Sequence, residues 1–316
     1  MKFRTVIDIP ESPFQISHSD RIFSIGSCFA VHTGNYLEET GFRVSVNPFG
    51  TLFNSASVLK MLRRTINREQ PASDELFCSE KMFKHYDFPG LFNRYDKKSY
   101  LDNAKETLET QRVFLKKASI VLLTLGTAQV WILKETGQVV ANCHKQPQAL
   151  FERRMQSIES VVADLEAIFS LLRKMHPGIR MVLSISPVRY LQDGYTANAR
   201  SKARLLEAVL TFRDRYPERV YYFPAYEIFN DDLRDYRFYA ADLKHPGEQG
   251  IAYVLEKFSD TFFDGPTLEI IRKVEKFKRL QNHRPIAGDS SEHDALVRSE
   301  AERLKQAYPF LNLKSV

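Results

Sequence analysis

Cysteine is scarce in this sequence: Cys28, Cys78 and Cys143 are the three in 316 residues. They lie far apart, their number is odd and no two form a C-x-x-C pair. That pattern argues against a disulfide framework and against a structural zinc site, and no metal is expected. A lone thiol in a reducing compartment is still available to catalysis. Long apolar runs are missing as well. None approaches the roughly 20 residues that a membrane-spanning helix needs, and Met1 to Pro13 lacks the basic start and apolar stretch of a signal peptide. A cytoplasmic protein without a membrane span is the expectation. Blocks of one charge sign are absent too. The net charge is +6, yet its 45 basic residues are interspersed with 39 acidic ones. The concentrated basic stripe of a nucleic-acid binder is therefore not seen, and no nucleic-acid partner is expected. A modest attraction for an anionic small substrate remains compatible with this balance.

What is present is an alternation of short buried strands and amphipathic helices. Arg21 to Ile25 is an apolar run rich in β-formers that ends at Gly26. Phe29 to Thr40 has helical spacing and stops at Gly41, where a left-handed cap is cheap. Phe42 to Val46 predicts a second strand, broken by Asn47-Pro48, and Ser55 to Ile66 predicts a helix. Asn67 to Leu101 is irregular, rich in aromatics, and reads as an insertion or long loop. Ile120 to Leu125 is an almost continuous apolar strand ending at Gly126, as expected of a parallel sheet buried on both faces. A short hairpin follows from Val130 to Val140, with Thr136-Gly137 at its turn. Phe151 to Met175 predicts the clearest helix, with apolar residues every three or four positions and His176-Pro177-Gly178 as its stop. Arg180 to Ile185 predicts a strand, Ala199 to Phe212 a helix that Asn198 would cap, Val220 to Phe223 a last strand, and Pro246 to Asp260 a closing helix. The alternation predicts a doubly wound, mostly parallel sheet. Residues 1–263 would form this α/β domain and 264–316 a helical extension. The second helical stretch of that extension opens with Ser291-x-x-Asp294, a capping-box pattern.

Ligands of open α/β sheets bind beyond the carboxyl ends of the strands. Two segments there carry chemistry. Gly26-Ser27-Cys28 places two small nucleophiles between a strand and a helix. A thiol at a helix N-terminus is activated, and the backbone N–H groups beside it can hold an oxyanion. Asp242-x-x-His245, just before the closing helix, pairs a base with a carboxylate that can orient it. Nucleophile, base and orienting acid together are what acyl transfer through a covalent intermediate requires.

Ile25-Gly26-Ser27-Cys28-Phe29-Ala30 contains the string that names the GSCFA family, and the chain resembles that family elsewhere. The similar segments include Asn47 to Thr51, Leu125 to Ala128, Asn142 to Lys145, Ser186 to Arg189 and Asp235 to Pro246. The family is grouped with the SGNH, or GDSL-like, hydrolases. The resemblance implies a flavodoxin-like three-layer α/β/α fold with a mostly parallel five-stranded sheet. It also implies an acyl ester hydrolase or O-acyltransferase acting on a glycan or another acylated small molecule, or an inactive relative that only binds. Aligned on Gly26, Cys28 takes the nucleophile place, with Ser27 the alternative. His245 and Asp242 match the final block residue by residue. Gly50 matches the second block, which supplies an oxyanion donor. The third block departs, because Gly126-Thr127-Ala128-Gln129 has no Asn. Thr127, Gln129, Asn142 or His144 are the candidates to replace it, and Arg189 is a candidate for substrate binding. No cofactor is implied, apart from acyl-CoA as the donor if the enzyme is a transferase.

Overall fold

A computed structural model describes residues 4–283 and 290–313, without the side chains of residues 290–292. In chain order the elements are β1 (Arg21–Gly26), α1 (Cys28–Glu39), β2 (Arg43–Val46), α2 (Ser55–Asn67), β3 (Phe77–Ser79), β4 (Met82–Lys84), α3 (Lys97–Leu115), β5 (Ile120–Leu125), β6 (Gln129–Leu133), β7 (Gln138–Val140), β8 (Phe151–Met155), α4 (Ile158–Met175), β9 (Arg180–Ile185), α5 (Gly194–Arg215), β10 (Val220–Tyr222), the single turn α6 (Ala225–Glu227), α7 (Glu248–Phe262), α8 (Gly265–Asn282) and α9 (Ser290–Ala307). Five strands form one sheet in the order β10-β9-β5-β1-β2. Every pairing in it is parallel.

The period of two along these strands divides the core. Phe23 and Ile25 of β1, Val121, Leu123 and Leu125 of β5, and Met181, Leu183 and Ile185 of β9 pack with α2, α3, α4 and α5. Ile22, Ile120, Leu122 and Val182 point the other way and pack with Phe29 and Leu37 of α1, with α7 and with Ile271 of α8. The result is the three-layer α/β/α arrangement. β5 lies at its centre, buried along its whole length. Parallel pairing leaves the carboxyl ends of β1, β5 and β9 on one edge, where ligands of open α/β sheets bind.

Several local expectations change. The long helix expected from Phe151 begins only at Ile158, after Ser157 caps it by accepting from the Ser160 N–H at 3.2 Å. Phe151 to Met155 instead forms β8, antiparallel to β6. Its burial alternates from Phe151 onward, so the four- and three-residue spacing of Phe151, Met155 and Ile158 matched a helical period by coincidence across a strand and a turn. The segment from Asn67 to Leu101 is not featureless. It holds the β3–β4 hairpin and opens α3, whose N-cap Asp96 accepts from Ser99 N–H at 2.7 Å. Asn198 does not cap α5. That helix starts at Gly194, and Asn198 accepts instead from the Tyr190 N–H at 3.0 Å. Pro246 precedes α7, whose N-cap is Gly247. The two helical stretches of the tail are α8 and α9. Tail residues reach back to the α/β layers, where the Asn312 N–H donates to Gly41 O at 2.9 Å. The capping-box pattern starts at Ser291, whose side chain lies outside the described residues.

Candidate functional site

β1 ends in a turn that only glycine tolerates. Gly26 has φ +138°, and a Cβ there would lie 2.1 Å from Thr124 O on the neighbouring strand. Asn47, at the end of β2, clamps it. The Gly26 N–H donates to Asn47 Oδ1 at 2.8 Å, and Gly26 O accepts from Asn47 Nδ2 at 3.2 Å and from the Leu52 N–H at 3.0 Å. Asn47 itself adopts a positive φ, which asparagine accepts more readily than most residues. The Ser27 N–H donates to Thr124 O at 2.9 Å. Ser27 is then the N-cap of α1, and Cys28 its first residue. The two nucleophile candidates differ in access. Ser27 is fully buried and its hydroxyl has no hydrogen-bond partner among the described residues, whereas Cys28 is half-buried. His32 stands one helical turn beyond Cys28 on the same face of α1.

The second segment is the loop before α7. His245 Nδ1 lies 2.5 Å from Asp242 Oδ2. Asp242 Oδ1 also accepts the backbone N–H groups of His245 at 2.9 Å and Lys244 at 3.0 Å. These bonds to His245 and Lys244 hold the Asp242 carboxyl far below the usual carboxylate range. An ionised Asp242 needs a proton on Nδ1, which leaves His245 Nε2 as the basic nitrogen. Leu243, at φ +56°, lets the loop turn tightly enough for Asp and His to share a side. His245 is 49% exposed, so it can be reached from solvent.

One electrostatic coupling runs between α1 and the loop before α7, and a second between Cys28 and the loop after β9. The His32 imidazole is pulled below its ordinary value by burial and further by the charge of His245. The Tyr190 phenol is pushed up by burial and further by the charge of Cys28. Both couplings operate at the carboxyl edge of β1, β5 and β9. A cavity of about 590 Å³ opens there, lined in part by His245, Tyr190, Trp131, Gln129, Asn142 and Arg189. Thr127 also lines it, although its hydroxyl is engaged with Ser201 Oγ at 3.1 Å and with the Gln129 N–H at 3.0 Å. Gln129 Nε2 leans toward Asp193 at 3.4 Å, and Asn142 Oδ1 accepts from the His144 N–H at 2.7 Å. Arg189 is half-buried and has no carboxylate within ion-pairing range among the described residues.

Two of the candidates are engaged by backbone carbonyls. The Gly50 N–H donates to Asn47 O at 2.7 Å, closing the turn that positions Asn47. Gly50 also lines a cleft beside Val31 and Asn35. His144 is 7% exposed, and its Nε2 lies 2.9 Å from His85 O and 3.0 Å from Phe88 O. One N–H shared between two carbonyls pins the aromatic insertion to the β6–β7 hairpin, which is an architectural role.

Sequence reasoning passed over His32, although the spacing Cys-x-x-x-His on a helix was legible. It also passed over Tyr190 as a site residue, because nothing local marks a tyrosine after Arg189. Lys202, one helical turn after Asn198, is wholly buried. It donates to Gly126 O at 2.7 Å and to Ser186 O at 2.6 Å, tying the ends of β5 and β9 together. Burial pulls its ammonium down to about 7.

The GSCFA family model matches residues 21–258. The chain belongs to the GSCFA family. The match spans both the Gly26 turn and the Asp242–His245 loop of this GSCFA protein. No curated protein matches the chain. Among solved structures it is similar to a carbohydrate esterase family 3 from Talaromyces cellulolyticus, with 8% identity, a TM-score of 0.37 and coverage of 80% of this chain and 98% of that one. It is also similar to an acetyl xylan esterase from the rumen bacterium Butyrivibrio proteoclasticus, with 13% identity, a TM-score of 0.32 and coverage of 80% and 64%. Likeness at this level carries no conclusion about activity. No helix among the described residues is long and apolar enough to cross a membrane.

The clamp and the buried imidazoles each generate a prediction. Asn47→Ala orphans the Gly26 N–H in a buried turn and removes a second bond, so urea unfolding should show a loss of about 2–3 kcal/mol. An unchanged midpoint would mean that Gly26 holds its turn without Asn47. His18, His85 and His144 all have pKa values lowered chiefly by burial. Above the ordinary histidine value both folded and unfolded chains are neutral at these positions. As pH falls below it, the unfolded chain binds protons that the folded chain refuses, so stability drops until pH passes the lowered folded values. The melting temperature should therefore fall from about pH 7 to about pH 5, and fall less steeply in His144→Gln, which keeps an N–H donor without the titration. Equal slopes would show that His144 does not contribute to the acid sensitivity.

Proposed function

We propose that this protein is an acyl-group enzyme in which Cys28 is the nucleophile, His245 the general base and acid, and Asp242 the residue that orients His245. The observation that carries the reading is the His245–Asp242 pair, held at 2.5 Å with Nε2 unbound among the described residues, and within electrostatic reach of His32 on the helix that Cys28 opens. Burial supports Cys28 over Ser27, since an enclosed hydroxyl has no path to a substrate carbonyl.

The chemistry follows in two halves. His245 Nε2 takes the thiol proton as Cys28 Sγ forms a bond to the ester carbonyl carbon, and the carbonyl π pair moves onto oxygen. Collapse of that oxyanion breaks the bond to the alcohol oxygen. The alcohol leaves with the proton from His245, and a thioester remains on Cys28. Water, or a sugar hydroxyl, then attacks the thioester with His245 again as base. The product is a carboxylic acid or a new ester, and the thiol is restored. Asp242 stays ionised throughout and steadies the imidazolium. Both halves fit hydrolysis, and with a hydroxyl acceptor they fit O-acyl transfer from an ester or an acyl-CoA donor. The substrate would be an acylated glycan or another small acylated molecule. Lys145, Arg153, Arg189 and Lys244 line the cavity against one carboxylate, Asp193, which Arg153 already pairs. This excess of positive charge supports a substrate that carries negative charge.

A second reading is a binding module that has kept the fold without the reaction. The engagement of the Gly50 amide favours it, because a donor expected at the oxyanion is missing. A panel of activated esters separates the two. Cys28→Ala and His245→Ala should each lower turnover by about 10³-fold or more, and Asp242→Asn by roughly 10²-fold, all with unchanged melting. An acyl adduct on Cys28 should appear by intact mass within the burst. Equal turnover in wild type and Cys28→Ala would leave the binding module as the better reading.

A further inference from the structure

The acyl-enzyme reading leaves one need unmet. A tetrahedral oxyanion needs donors aimed at it, and most of the expected donors face elsewhere. The Gly50 N–H is held by Asn47 O, and the Gly126 and Thr127 N–H groups both donate to Phe53 O, at 2.8 and 3.1 Å. The Thr127 hydroxyl is shared with Ser201.

Tyr190 adds a free donor to the first two N–H groups of α1 and the Asn142 side-chain amide, none of which has a partner among the described residues. Its backbone N–H is fixed by Asn198 Oδ1, and its ring packs edge-on against Phe53 with centroids 5.3 Å apart. Lys202 Nζ lies 5.4 Å from the ring centroid. The phenol oxygen lies directly over Gly126, where a Cβ would come within 2.7 Å of it. Gly126 follows the last residue of β5, and it stands where the family pattern would begin its missing Asn block. The sheet register sets Gly26 opposite Thr124. Both chains leave the sheet at this level, β1 into α1 at Cys28 and β5 into Gly126, and the charge of Cys28 reaches the phenol. Its hydroxyl has no hydrogen-bond partner among the described residues, and the side chain lines the same cavity as His245.

We infer that the Tyr190 hydroxyl is the oxyanion donor of this site, filling the role that the absent asparagine would have had. This inference rests on the acyl-enzyme reading. Phe53, Asn198 and Lys202 are the positioning residues that hold the ring. Gly126 is the residue whose lack of a side chain gives the phenol its place. The hydroxyl would donate to the carbonyl oxygen as negative charge develops and keep its own proton, since burial disfavours the phenolate.

Tyr190→Phe tests this, because it removes one oxygen and keeps the ring packing. With p-nitrophenyl acetate as probe, kcat should fall by roughly 10²- to 10³-fold while KM stays within about threefold. The melting temperature should be unchanged, and the acetyl adduct on Cys28 should form correspondingly slowly. If Tyr190→Phe keeps kcat within about threefold of wild type while Cys28→Ala is inactive, the Tyr190 assignment is overturned and the acyl-enzyme reading stands. If Cys28→Ala matches wild type, whether both are active or both inert, the acyl-enzyme reading falls and takes the Tyr190 assignment with it.

Discussion

The site depends on one side-chain amide. Asn47 binds both the N–H and the carbonyl of Gly26, and thereby holds a backbone conformation that few residues adopt. Together with the Ser27 N–H on Thr124 O, that clamp sets the direction of the chain leaving β1. With it, α1 starts at a set angle, Ser27 is sealed inside and Cys28 is presented at the helix N-terminus. The clamp also explains the neighbouring Asn-Pro-Phe-Gly segment. Gly50, at φ +78°, closes the turn back onto Asn47 O, and Leu52 returns a third bond to Gly26. These residues build the support for the turn that leads into Cys28.

A second constraint comes from the parallel sheet. Its three central strands end on one edge, and each ends in backbone carbonyls that must be satisfied. Lys202 meets two of them, from β5 and β9, with a single buried amine. The same amine lies near the rings of Tyr190 and Tyr226. Structural satisfaction of the strand ends and positioning of the cavity wall are therefore one arrangement. The Asp242–His245 loop brings His245 to the cavity wall, its geometry set by two short-range backbone bonds to one carboxylate oxygen.

Much of this was legible in the residues. The buried runs Arg21–Gly26, Ile120–Leu125 and Arg180–Ile185 announce a two-faced parallel sheet, because no polar side chain interrupts them for long. The Gly-Ser-Cys turn and the Asp-x-x-His pair could be read as chemistry, since each places reactive groups at a strand or helix boundary. What could not be read were roles set by contacts distant in sequence. His144 looked like a ligand because histidine beside lysine in a loop resembles one, yet its partners are the carbonyls of His85 and Phe88. Gly50 looked like a donor because its neighbours match a family block, yet its amide is taken by a residue three positions back. Phe151 to Met155 looked helical because strand, turn and helix happened to share a spacing. Tyr190 gave no local signal at all, and its place over Gly126 exists only once β5 and the loop after β9 are side by side.

The central claim is that Cys28 and His245 act on one another. Alkylation of the native protein by iodoacetamide at neutral pH, followed residue by residue by mass spectrometry, tests it most directly. Exposed Cys78 serves as the internal reference. Half-buried Cys28 should react faster than Cys78 despite its lesser exposure, and His245→Ala should slow Cys28 by about tenfold or more while leaving Cys78 unchanged. A Cys28 that reacts no faster than Cys78, at the same rate with or without the imidazole, would contradict it.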